Sequence, residues 1–240
     1  MASLPSFRSL ARVATGAMAL TPALLLLGTG VGMAGRAWTL SELRSPDFTY
    51  ADVDGAFSAV GTATLVTVTL FSFGAVTWAV VFVAWLYRAR RNLDRIEGAR
   101  PRWGPGWTVV SWFIPIANLI LPGAVIADVA RESVPLDQRH GSRPAWMMAA
   151  WRLSLAGLLA VTTPWPFASA EPHVISMIYS SESDPISESL RAELAAQVGA
   201  VAPPPAEIVL LVLCAAVAIP GIMVVRRVTA LQAAALDDVS

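Results

Sequence analysis

Phe113-Ile-Pro115-Ile-Ala-Asn118-Leu-Ile-Leu-Pro122-Gly123 lies inside an uncharged stretch, 103–127, and the fold turns on whether that stretch crosses a membrane. Proline has no backbone N–H. In a continuous helix Pro115 would leave the carbonyl of Ser111 without its donor, and Pro122 would do the same to Asn118. Bare carbonyls cannot face lipid, and non-helical backbone at membrane depth survives only where protein or water covers it. The residues therefore predict two half-helices with Asn118 near their turn, re-entrant or interfacial. An ordinary kinked spanning helix is the alternative.

Four other stretches carry no charged residue: 13–35, 55–87, 153–170 and 208–225. A hydrocarbon core about 30 Å thick needs roughly 20 apolar helical residues to span it, and each stretch comes close to or exceeds that. Hydrophobic residues make up 55% of the chain and charged ones 14%, far from the balance of a water-soluble domain. The net charge of zero points to no nucleic-acid partner. The single cysteine, Cys214, excludes an intrachain disulfide framework and a cysteine metal site.

All seventeen basic side chains are arginines, and short cytoplasmic loops carry the excess of such residues. With the N-terminus inside and all five stretches crossing, nine arginines fall inside and eight outside, which is no bias. If 103–127 enters and returns on the cytoplasmic side, fourteen fall inside and three outside. The expectation is an all-α integral membrane protein with a single membrane domain, 1–240. It has four transmembrane helices (13–35, 60–87, 146–168 and 208–225) and a Pro-broken re-entrant or interfacial segment at 103–127, with five transmembrane helices as the alternative. Both termini then lie in the cytoplasm. The first run exceeds the usual length of a signal-peptide core, about 7 to 15 residues, and reads as a retained anchor in which Gly28 and Gly32 pack closely against a neighbour.

Trp85, Tyr87, Trp103, Trp107, Trp146 and Trp151 flank the cytoplasmic ends as an aromatic belt. The helix ending the second run is expected to continue to Gly98, with Arg90 and Asp94 spaced for an i,i+4 pair at the surface. Asp184-Pro185 reads as the start of an outer amphipathic helix, 185–200, carrying Ile186, Leu190, Leu194 and Val198 on one side, with Arg191 on a flank.

The order Trp85-Leu-Tyr-Arg88-Ala-Arg90-Arg91-Asn92, Gly106-Trp107, Trp112-Phe-Ile-Pro115-Ile-Ala-Asn118-Leu, Pro122, Asp128 and Arg131-Glu-Ser133 resembles a bacterial family. It is the domain-of-unknown-function family numbered four-three-two-eight. Val225-Arg226-Arg227-Val228-Thr229 with Gln232 is similar to that family's closing segment. One departure is that a tryptophan-rich patch expected near the fourth run is reduced to Trp146 and Trp151. The resemblance implies a multi-pass protein of the bacterial cytoplasmic membrane and brings no activity with it.

Function has to be read from the cytoplasmic side. The broken segment supplies Trp107, Trp112, Pro115, Asn118 and Pro122, and the basic face supplies Arg88, Arg90, Arg91, Arg95, Arg100 and Arg102. Arginines near an anionic leaflet each gain about 1 kcal/mol, so the first reading is a non-enzymatic module that engages anionic lipid headgroups, a protein partner or a second copy of itself. A small-solute channel or transporter subunit using the broken segment is the alternative. An intramembrane enzyme comes third, because Asp94, Asp128 and His140 form no recognisable catalytic motif. No catalytic residue, metal site or cofactor is expected.

Overall fold

Alanine, leucine and methionine, all strong helix formers, make up nearly half of the first forty residues. The computed structural model, which describes residues 4–114, 120–136, 149, 187–200 and 204–237, shows one helix there, α1 (Leu4–Leu43). The second, α2 (Tyr50–Leu93), begins ten residues before the expected 60–87 span and runs beyond it. Next come α3 (Trp107–Val110), α4 (Leu121–Glu132), α5 (Glu188–Ala200) and α6 (Pro204–Asp237).

Among the described residues, three segments are long and apolar enough to cross a membrane: Phe7–Leu43, Gly61–Leu93 and Ile208–Asp237. Each exceeds 20 residues, and each carries large apolar side chains on its surface, among them Leu26, Leu65, Phe73, Val76 and Val212. In water that face would be a liability, whereas in lipid it is solvated. Pro22 and Pro220 sit inside α1 and α6 without ending them, as membrane helices allow. Apart from residue 149, the expected 146–168 span lies outside the described residues, as does the Asp184-Pro185 start.

The 103–127 stretch is not one helix. Trp107–Val110 makes a single turn, Ser111 to Ile114 are turns and bends, and a new helix starts at Leu121. The twelve residues of α4 extend about 18 Å, short of the hydrocarbon core. Pro122 stands at the start of α4, where a missing N–H costs nothing because first-turn donors have no partner inside the helix. It opens a helix; the carbonyl conflict expected of it concerns a continuous helix that is not there. Pro115 and Asn118 lie outside the described residues.

The chain divides into two compact units, with a change from one to the other at Pro22 in α1. The first comprises Met1–Thr21, Gly74–Gly157 and Leu213–Ser240; the second comprises Pro22–Phe73 and Leu158–Val212.

In the second unit α1 and α2 meet through small residues. A Cβ on Gly28 would lie 2.9 Å from the Thr67 Cα, and one on Gly35 would lie 3.4 Å from the Ala63 Cβ. The Thr67 hydroxyl is 2.8 Å from both the Gly28 and the Ala63 carbonyl. Close packing through Gly28 was expected, and Gly35, two turns on, lies against the same helix. The connection after α1 is held by Arg191 of α5, whose guanidinium donates to the carbonyls of Leu43, Ser45, Pro46 and Phe48. Leu194 and Val198 bury themselves with Leu43 and Phe48 beside it. Arg191, expected on a flank, is thus turned inward onto backbone. Asp52 reaches back over the start of α2: its carboxylate accepts from the Thr49 N–H at 2.9 Å and from the Thr49 hydroxyl at 2.8 Å.

Candidate functional site

The candidate residues gather in the first unit. Along the end of α2, Phe82, Trp85, Leu86, Ala89 and Leu93 are buried at helical spacing and join Phe7, Ala14, Val125, Val129, Val225 and Val228 in one core. Trp85 is completely buried, its indole N–H donating to the Thr229 hydroxyl at 3.1 Å. It belongs to the interior rather than to a headgroup belt. Phe82 stacks on Trp78 and Trp85 and meets Trp112 edge-on, with centroids 6.1 Å apart.

A polar knot is set into this core. The buried Gln232 amide donates to the Ala89 carbonyl at 3.0 Å and to the Ser133 hydroxyl at 2.9 Å, while its oxygen accepts from Asn92 at 3.3 Å. Ser133 in turn donates to the Val129 carbonyl at 2.7 Å. The knot ties α2, α6 and the end of α4 together and satisfies Ser133 through hydrogen bonds. The sequence placed Asn92, Ser133 and Gln232 far apart in the chain. The available clue to the knot was a glutamine alone in an Ala- and Val-rich helix.

The six arginines of the basic face divide. Arg90 turns inward: its Nε donates to the Trp103 carbonyl and its Nη1 pairs with Asp94 at 2.7 Å, the two side chains being 7% and 53% exposed. The i,i+4 pair is present, but Arg90 is buried rather than at the surface. Arg91, Arg95, Arg100 and Arg102 are exposed, and Arg88 is half-buried. The helix stops at Leu93 instead of Gly98, because the chain turns there to reach Trp103. Gly98 sits at φ +77°, with Leu136 occupying the place a side chain would need.

Two acids of α4 secure the loop that follows. Glu132 accepts the Arg100 backbone N–H at 2.8 Å, and Asp128, one helical turn earlier, accepts that of Trp103 at 3.2 Å. The Arg102 guanidinium lies 5.4 Å from the Trp103 ring centroid, and Trp103 meets Trp107 edge-on at 5.4 Å. In and after α3, Thr108 and Ser111 are buried while Trp107, Val110 and Phe113 face outward, Phe113 being 79% exposed. α3 packs against α4. The Ser111 hydroxyl and the Trp78 indole N–H are buried without a hydrogen-bond partner among the described residues.

Among the described residues no group of three His, Cys, Asp or Glu side chains could hold a metal. His140 lies outside those residues. The carboxylates named for an enzyme are engaged elsewhere, Asp94 by a guanidinium and Asp128 by a backbone amide.

Charge separates between the units. Described residues of the first include Arg8, Arg12, Arg88, Arg90, Arg91, Arg95, Arg100, Arg102, Arg131, Arg226 and Arg227 against Asp94, Glu97, Asp128, Glu132 and Asp237. Those of the second include Arg36, Arg44 and Arg191 against Glu42, Asp47, Asp52, Asp54, Glu188, Glu193 and Glu207.

No curated protein and no solved structure matches the chain. A family model described as a domain of unknown function matches residues 44–230, the stretch that holds the pinned loop and Arg88 to Arg102, and the chain belongs to that family, DUF4328.

Proposed function

We propose that the chain is a non-enzymatic, multi-pass module of the bacterial cytoplasmic membrane that engages anionic lipid headgroups through the arginine-rich face of its first unit. The observation that carries this reading is the arginine excess in that unit, displayed mostly on exposed side chains, while Asp94, Asp128 and Glu132 take internal bonds. An anionic leaflet is the surface such a face complements. In this reading four helices cross, 103–127 stays on the cytoplasmic side, and both termini are cytoplasmic. The short α3 and α4 support that arrangement, as does the presence of Arg88 to Arg102 and Arg131 in one unit.

The test is lipid retention. Purified wild-type protein should co-purify with phosphatidylglycerol in preference to phosphatidylcholine, and replacing Arg88, Arg91, Arg95, Arg100 and Arg102 by Gln should abolish that preference without preventing insertion. An unchanged lipid profile would reject the reading, and loss of a co-purifying protein instead would make the face a partner site. Topology has its own check. Ser142→Cys, with Cys214 replaced, should resist a membrane-impermeant thiol reagent in intact cells and react after lysis; labelling from outside would mean that 103–127 crosses.

A second reading draws on the Ser111 hydroxyl and the Trp78 indole N–H, buried polar groups beside a broken segment, as broken helices in transporters often leave polar groups open to a solute. It predicts solute flux in reconstituted vesicles that Ser111→Ala changes. Vesicles that stay tight with folded protein would set it aside.

A further inference from the structure

We infer that the loop from Arg100 to Trp107 and the turn that follows form a preorganised clamp for an anionic phospholipid, in which Arg100 and Arg102 hold the phosphate and Trp107, Val110 and Phe113 enter the acyl boundary. The inference rests on the lipid-engaging reading above and narrows it to a defined site.

Positive charge that only sets topology needs no fixed geometry; arginines on a loose loop would serve. This loop is held at three backbone points by side chains from two helices. Glu132 takes the Arg100 N–H, Asp128 takes the Trp103 N–H, and Arg90 donates to the Trp103 carbonyl. Each of these contacts uses backbone, so the side chains of Arg100 and Arg102 stay exposed. The two α4 carboxylates of this region accept amide hydrogens of the loop itself, and Asp94 is paired with Arg90. Glu97 is the remaining acid of this turn region and is exposed. The Trp103 face further restricts Arg102, and a planar guanidinium donor set suits phosphate oxygens.

The apolar half of the clamp follows from helical phase. Thr108 and Ser111 point inward, which turns Trp107, Val110 and Phe113 outward at three-residue spacing. Val109 and Ile114 widen the same exposed apolar surface. Guanidinium groups beside an exposed tryptophan and phenylalanine match the headgroup and acyl layers of one leaflet. The occupant is therefore anionic lipid rather than a free phosphate, which would leave the apolar stripe in water.

Detergent-solubilised full-length protein provides the test. Added phosphatidylglycerol should raise the unfolding temperature of the wild type more than phosphatidylcholine does. In Arg100→Gln/Arg102→Gln that selective rise should vanish, while in Arg226→Gln/Arg227→Gln, which removes the same charge from α6, most of it should remain. Equal losses in the two double variants would overturn the clamp and leave general charge attraction standing. No selectivity in the wild type would overturn the broader reading as well. A second measurement keeps the arginines intact: a nitroxide on Phe113→Cys, with Cys214→Ala, in nanodiscs containing phosphatidylglycerol. Collisions with oxygen exceeding those with a water-soluble nickel complex would support the clamp. The reverse ratio, or shielding from both reagents by a second protein copy, would overturn it.

Discussion

The two units use arginine in opposite ways. In the first, most of the described arginines point outward, and Arg90 is the one drawn inside, onto Asp94 and the Trp103 carbonyl. In the second, Arg191 is spent on four backbone carbonyls at the end of α1, within a unit whose other described charges are mainly acidic. The acids show the converse. Asp128 and Glu132 of the basic unit join one element to another, whereas Asp52 of the acidic unit caps its own helix. In each unit, then, side chains of the minority charge are drawn into bonds that join separate segments of the chain: Arg191 in the acidic unit, Asp128 and Glu132 in the basic one.

The sharpest way to break this comparison is to remove what holds the basic unit together. Trp85→Ala empties a fully buried site at the centre of the core and should cost about 3–5 kcal/mol, seen as a large fall in the unfolding temperature in detergent. Trp85→Phe keeps most of the volume but leaves Thr229 without its donor, and should cost about 1 kcal/mol. Equal, small effects from both would mean that the aromatic core does not anchor the arginine face.

The corresponding test of the acidic unit is Arg191→Ala, which strips four carbonyls of a charged donor. A loss of about 1.5–3 kcal/mol is expected, together with faster proteolysis between Arg44 and Thr49. Arg191→Lys should recover little, since a single ammonium cannot reproduce a planar fork that bridges several acceptors. Full rescue by lysine would show that charge, not geometry, holds the connection.

Gly28→Ala sharpens the comparison by testing the same unit without touching charge. The added Cβ meets the Thr67 backbone, which cannot rotate away, and overpacking of that kind costs about 1–3 kcal/mol. Gly35→Ala, where the nearest contact is an ordinary 3.4 Å, should cost less. Thermal unfolding of the two variants decides it.

Much of this architecture was legible in the chain, because absence of charge over twenty residues is a physical requirement of a membrane helix and is readable without tertiary information. Three candidate spans followed from it, and so did the broken character of 103–127. What escaped was helical phase. Arg90 and Arg91 are adjacent and identical in a charge tally, yet one is buried and the other exposed, because the stripe Phe82, Trp85, Leu86, Ala89 and Leu93 carries Arg90 inward. The knot was hidden because Asn92, Ser133 and Gln232 are brought together by tertiary packing alone. Trp85 was misplaced because a tryptophan at a span's end is as compatible with an interior hydrogen bond as with a headgroup layer.

The smallest expected effect concerns Asp52, and it discriminates between the two uses of acid. The Thr49 backbone N–H, and then its hydroxyl, hold the Asp52 carboxyl below its ordinary range. A carboxyl depressed in the folded state adds stability that is present above its unfolded value, about 3.9, and is lost as pH falls through the folded value. Because the group is almost fully exposed, solvent screens the contribution, and the change should be local: faster amide exchange at Thr49 and the first turn of α2 on going from about pH 6 to about pH 3. Asp52→Asn keeps an acceptor but not the charge that suits a helix N-terminus, so it should show intermediate protection and no such acid transition. If acid instead loosened the Arg100 and Trp103 amides while leaving Thr49 protected, the division between a local cap and inter-element carboxylates would have been drawn the wrong way round.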